Sequence, residues 1–198
     1  MKKFVIAAFA IATLMLVGCA TSVDRVDTDS TIDLSGAWND VDSRQTAEAM
    51  IDDVLSRPWI DQFVAKEGHS PAVIVGEVKN LSHEHINTKT FIADMERELI
   101  NSGRVQFVAS ASERQEIRGE REDQDLNASE ETRNAAGREL GADFMLKGQI
   151  NTIIDAEGKK QVRYYQVDLT LISLADNRKV WVGQKKIKKY VKNAKLRY

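Results

Sequence analysis

The chain has 198 residues, 42% of them apolar and 29% charged, with three His, one Cys, two Pro, 11 Gly and a formal net charge of −2. That is the size of one ordinary domain with enough apolar content for a core, whereas a lone Cys excludes an internal disulfide and a Cys-rich zinc module. The Pro and Gly counts exclude collagen-like and Pro-rich low complexity, and the near-neutral charge argues against a dedicated nucleic-acid binder, so no nucleic-acid partner is expected.

Met1-Lys2-Lys3 is a short cationic start, and Phe4 to Val17 is an apolar run of 14 residues. A spanning helix needs roughly 17–25 residues, so the run has the size of a signal-peptide apolar region. It ends in Leu16-Val17-Gly18-Cys19, which resembles a bacterial lipobox. The resemblance implies removal of residues 1–18 as a lipoprotein signal peptide, diacylation of the Cys19 thiol and acylation of the new amine. Two acyl chains already anchor a protein stably; three would hold it to the bilayer permanently. The residue after Cys19 is Ala20 rather than Asp, which is similar to outer-membrane cargo. The expected location is the outer membrane, on its periplasmic face.

Residues 19–41 are rich in Asp, Thr and Ser and lack apolar periodicity, so they are expected as a tether, flexible because it contains no Pro. Ser43 is a candidate cap for a first helix, in which Ala47, Met50, Ile51, Val54 and Leu55 form one stripe. Arg57-Pro58 interrupts it, because a residue before Pro avoids helical dihedrals. Trp59, Ile60 and Phe63 suggest a short continuation. Ala72 to Val78 is the first strand, followed by a polar loop from Asn80 to His85. From about Asn87, the residues Phe91, Ile92, Met95, Leu99 and Ile100 mark a second amphipathic helix, closed at Ser102-Gly103 by a left-handed glycine cap.

Val105 to Ala109 reads as a second strand, and the charged stretch Glu113 to Asp125 as a solvated helix or a mobile segment. A third helix is expected from Asn127-Ala128-Ser129-Glu130-Glu131 to Leu140-Gly141, on the strength of a capping residue followed by acids in the first turn. Three strands follow: Phe144 to Ile154, Val162 to Leu174, and Val180 to about Val191, with turn chemistry at Glu157-Gly158 and Asp176-Asn177. In the middle one Tyr165, Val167, Leu169 and Leu171 alternate with Gln166, Asp168 and Thr170, which buries one face and wets the other. The order α-β-α-β-α-β-β-β implies an α+β fold: one domain over residues 42–192, with a mixed, mostly antiparallel sheet, helices packed on one face, and a basic tail at 193–198.

Catalytic chemistry is hard to find. His83-Glu84-His85, with His69, is the best metal candidate, since H-x-H on a strand would put both rings on one face. No third ligand is evident and the segment lies in a polar loop, so exposed loop histidines are the better reading; no metal and no cofactor are expected. Phosphate-binding glycine loops and a G-x-S-x-G elbow are absent. Cys19 cannot act as a nucleophile once lipidated. Asp52-Asp53 and Glu130-Glu131 read as solvated helix faces, and Trp59 and Trp181 as core. An enzyme is not expected.

The charge layout is uneven. Residues 177–198 contain nine Lys and Arg and no acid. Such asymmetry can steer an acidic partner, an anionic lipid surface or a charged polymer; equally, lysines on an edge strand block sheet-to-sheet aggregation.

Val73-Ile74-Val75-Gly76-Glu77-Val78-Lys79-Asn80 and Leu99-Ile100-Asn101-Ser102-Gly103-Arg104-Val105-Gln106-Phe107-Val108 resemble the penicillin-binding protein activator LpoB family. So do Ala135-Ala136-Gly137-Arg138-Glu139-Leu140-Gly141-Ala142-Asp143-Phe144-Met145-Leu146-Lys147-Gly148, and Val167 to Ile172 followed by Lys179-Val180-Trp181-Val182-Gly183. The amino-terminal domain of TolB and the curli secretion lipoprotein CsgG share the strand–helix–strand outline, so a TolB-like fold is implied. The resemblance also implies a non-enzymatic regulator that reaches inward from the outer membrane, docks on a non-catalytic domain of a bifunctional class A penicillin-binding protein, and stimulates this peptidoglycan synthase. The alternative is an envelope assembly or secretion scaffold of the CsgG or TolB kind. The chain departs from the family in its short, Pro-free tether and its Lys-rich end.

Overall fold

The computed structural model describes residues 22–134 and 139–192. The expected leader at 1–18, Cys19 and the expected tail at 193–198 lie outside the described residues. The chain divides after Thr31 into two units. In the first, the described residues 22–31 hold one turn, in which the Ser30 amide donates to the Asp27 carbonyl (3.1 Å) and the Asp29 amide to Asp27 Oδ1 (2.8 Å).

The second unit starts with helix α1 (Asp40–Ser56). Its cap is Asn39 rather than Ser43. The Asn39 side chain accepts the Asp42 amide while the Asp42 carboxylate accepts the Asn39 amide, a reciprocal capping box. Ser43 is the fourth residue of the helix, where its Oγ accepts from Trp38 Nε1 at 2.8 Å. The expected stripe is buried at Ala47, Met50 and Val54 and partly covered at Ile51 and Leu55. Arg57 turns extended before Pro58, and helix α2 (Trp59–Glu67) continues the chain.

Strand β1 (Ala72–Leu81) is followed by helix α3 (Thr88–Asn101), capped by Asn87 and buried through Phe91, Ile92, Met95 and Leu99. Gly103 beyond it sits at φ +67°. Strand β2 is only Gln106–Phe107, shorter than expected. The charged stretch expected as a solvated helix or a mobile segment forms helix α4 (Ala111–Asn127), which starts at the Ser110/Glu113 capping box and buries none of its residues. The separate helix expected from Asn127 to Leu140 does not form over the described residues 128–134 and 139–140. Asn127, expected as its cap, is the last residue of α4 and donates from Nδ2 back to Asp123 Oδ1 at 2.9 Å, and Ser129 to Arg133 form a turn closed on the Ser129 carbonyl. Residues 135–138 of the expected helix lie outside the described residues.

Strands β3 (Phe144–Glu157), β4 (Lys160–Ser173) and β5 (Lys179–Lys192) form an antiparallel meander paired along its length. The five strands order as β2-β1-β3-β4-β5, with β1 parallel to both β2 and β3. This is the α+β class expected: a mixed sheet with helices packed on one face. Odd residues of β4, from Tyr165 to Ser173, are buried while the even ones are half exposed. Trp59 and Phe63 set their rings edge-on to Phe144, each at 5.2 Å. Trp181 lies in the core and donates from Nε1 to Asp53 Oδ2 at 2.7 Å. A Cβ on Gly183 would overlap the Trp181 ring and come 2.7 Å from Met50 Sδ, so the bare backbone there lets α1 approach β5.

Candidate functional site

Two polar features of the fold, the loop after β1 and the open face of the sheet, have opposite constructions. The loop is tied down. Asn80 Nδ2 donates to the Glu84 carbonyl (2.8 Å), and its Oδ1 accepts from the Ser82 amide (3.0 Å) and hydroxyl (2.6 Å). This arrangement turns the Glu84 carboxylate inward, where it is largely buried. Its Oε1 accepts from Arg163 Nη1 at 2.6 Å and from the Tyr165 hydroxyl at 2.7 Å. Its Oε2 accepts from the Trp38 amide at 2.9 Å. Burial, reinforced by the Glu84 carboxylate, pushes the Tyr165 hydroxyl far above its ordinary pKa.

Glu84 thereby fixes a strap, residues 33–39, that runs up to the cap of α1. Trp38 lies edge-on to the Tyr165 ring at 5.5 Å. Gly36 holds φ +62°, a left-handed conformation that glycine adopts without strain, and an added Cβ would collide with Val191. A second latch sits on β5. Lys189 Nζ is 2.6 Å from Asp42 Oδ2, 2.9 Å from Asp33 Oδ1 and 3.0 Å from the Ala37 carbonyl. Its hydrogen bond holds the Asp33 carboxyl below the usual carboxylate range. The tether expected to run to residue 41 is therefore fastened to the fold from Asp33 onward, because two inward-facing cations demand partners.

The histidines do not come together. His83 Nδ1 meets Thr152 Oγ1 at 3.0 Å, His85 is exposed, and His69 sets its ring against Phe63. Among the described residues no group of three or more His, Cys, Asp or Glu could hold a metal ion. Nor is any described helix long and apolar enough to cross a membrane.

On the open face, Asp168 accepts both from Gln166 Nε2 (2.8 Å) and from Gln184 Nε2 (2.7 Å), and the Tyr164 hydroxyl donates to Gln166 Oε1 at 3.3 Å. Around this polar ladder stand Ile153 and Tyr190, both well exposed, with Lys186, Lys188 and Lys192. Away from the sheet, α4 is held by Glu139, which makes a bidentate pair with Arg118 (2.8 and 2.7 Å). That pair holds the Glu139 carboxyl below its usual range.

Sequence reasoning missed Glu84, Asp42, Arg163 and Lys189 as structural groups. A signal existed: Arg163 and Lys189 stand in the inward phase of β4 and β5, where the alternation calls for apolar residues.

The model of the family described as "Peptidoglycan-synthase activator LpoB" matches residues 42–187. Among solved structures, the LpoB C-terminal domain from Escherichia coli is 15% identical, with 72% of this chain and 98% of that chain covered and a TM-score of 0.37. The LpoB C-terminal domain from Salmonella enterica is 14% identical, covering 67% and 94%, with a TM-score of 0.34. Lipoprotein GNA1162 from Neisseria meningitidis is 15% identical, covering 61% and 83%, with a TM-score of 0.38. No curated protein matches the sequence.

Proposed function

We propose a function from one premise: the chain belongs to the LpoB family of peptidoglycan-synthase activators. In this reading it is a lipoprotein acylated at Cys19, held on the periplasmic face of the outer membrane, that binds a bifunctional class A penicillin-binding protein and stimulates it. The family match over residues 42–187 carries the reading. It acts by touch rather than turnover. An activator that binds the active conformation of its synthase better than the inactive one shifts the population toward activity. Tenfold stimulation needs about 1.4 kcal/mol of such differential affinity.

The fastened strap restricts how this works. Only residues 19–32 separate the acylated Cys from Asp33, the first residue gripped by Lys189. At roughly 3.3–3.6 Å per residue they reach less than about 50 Å fully stretched. The partner must then present its docking domain near the outer membrane.

The test is a pull-down of purified class A synthases with the chain, together with their glycan polymerisation rates. Binding with a rate increase is expected; no binding and an unchanged rate would remove the reading. Mass spectrometry of the native protein checks the anchor independently, with three acyl chains at Cys19 expected and an intact leader with a free thiol counting against it.

A further inference from the structure

The feature that the activator reading leaves unused is β5. It is the last strand of the sheet, 13 of its 14 residues pair with β4, Val180 standing in a register shift, and no strand lies on its other side among the described residues. A rigid edge of this length presents a row of main-chain donors and acceptors ready to pair with an added strand. We propose that β5 is a receiving edge for an extended, acidic protein segment that pairs with it as a sixth strand.

The charges select this occupant. Lys179, Lys185, Lys186 and Lys188 have no carboxylate within ion-pair distance among the described residues, whereas Lys189 is spent on Asp33 and Asp42. The stretch from Asn177 to Lys192 contains no acid that could neutralise them internally. These lysines stand on both sides of the edge. Lys186 and Lys188 alternate with the core-facing Trp181, Gly183 and Ile187 and so point to the open face, while Lys185 shares the core-facing phase and is half exposed. A strand laid alongside meets both rows through cross-strand neighbours. A bilayer or a flat polyanion would engage the open-face row only. A second copy of the chain is disfavoured, because β5 against β5 sets lysines opposite lysines. Val182 and Tyr190, 60% and 55% exposed on the open face, supply apolar contact for alternate side chains of the incoming segment.

This inference does not depend on the synthase reading, and its test is separate. The probe is a fluorescein-labelled Glu-Glu-Val-Val-Val-Glu-Glu peptide, which carries acids and valines on both faces of an extended strand, titrated by anisotropy with the full chain in neutral detergent. A second peptide carries Pro at the central Val, keeping every charge but losing a backbone donor and an extended partner. Saturable binding of the first peptide is expected, weakened by about tenfold or more in the second and in the K186E/K188E chain. The circular dichroism of that variant should be unchanged, since both side chains are exposed. No binding below about 1 mM, or equal binding of both peptides, would overturn the proposal. It would also be overturned if vesicles of phosphatidylglycerol, and not the peptide, bound the chain in a Lys186- and Lys188-dependent manner, which would assign the strand to a lipid surface. Synthase stimulation measured on the same variant reports on the other reading, so either can fail alone.

Discussion

The two faces of one sheet treat the same kinds of residue in opposite ways. On the helix-covered face, Arg163, Tyr165 and Lys189 are committed to Glu84, Asp42 and Asp33, and together they hold the strap against the fold. On the open face, Gln166, Asp168 and Gln184 bond chiefly to one another, and the nearby lysines have no acid partner among the described residues. The difference teaches where polarity is structural. Removing a partner of a buried charge leaves an unsatisfied group in low dielectric, whereas a solvated group is rescued by water.

The comparison can be broken most severely in the core beneath the covered face. Leu169→Ala, at a fully buried position, should cost about 2–5 kcal/mol by urea unfolding. Glu84→Ala should come next, with a loss of about 2–3 kcal/mol, because it strands Arg163 and frees both Tyr165 and the Trp38 amide. Early proteolytic cleavage between residues 33 and 39 would be its signature, and an uncut strap would show that Lys189 holds it unaided. Thr46→Val tests the same face with the opposite sign. Its hydroxyl is buried without a hydrogen-bond partner, so removing it should raise stability by about 1 kcal/mol. On the open face, Gln166→Ser should stay within about 0.5 kcal/mol of the unaltered chain.

Acid sharpens the contrast. Asp33 has a lowered pKa through its hydrogen bond from Lys189, so its contribution is complete above the unfolded carboxylate value and is lost as pH falls through the folded one. Strap release, followed by Trp38 fluorescence in a chain with Trp59 and Trp181 replaced by Phe, should therefore begin below about pH 4. It should be absent in Asp33→Asn, whose strap is loosened at every pH. At the alkaline end Tyr165, with its raised pKa, should ionise only as the domain unfolds, visible as tyrosine absorbance that lags behind the rest.

Much of the architecture was readable because it rests on short-range physics. The stripe Ala47, Met50, Val54 announced α1, the break at Pro58 followed from proline sterics, and the period of two in β4 separated buried from wetted residues. The charged stretch 113–125, expected as a solvated helix or a mobile segment, is helical behind the Ser110/Glu113 capping box, whereas the helix expected at 127–140 does not form over its described residues, because a polar residue followed by acids is a weak signal unless both halves of a capping box are present. The histidine pair was readable as a loop feature, and His83 and His85 are both exposed residues after β1. The latches were not readable as pairs.

The order of residues by itself determined the α+β class, the alternation that gives the sheet one buried face, and the concentration of lysines in its last strand. Each of these depends on neighbours within a turn of helix or a few positions of strand. Which carboxylate answers which cation was decided only in three dimensions. Asp33 and Lys189 are 156 positions apart and Glu84 and Arg163 79 apart, and no local propensity links them. They meet because pairing of β4 with β5 aligns Arg163 with Lys189, and two neighbouring inward cations can be buried only if carboxylates from the loop, the strap and the first turn of α1 come to meet them.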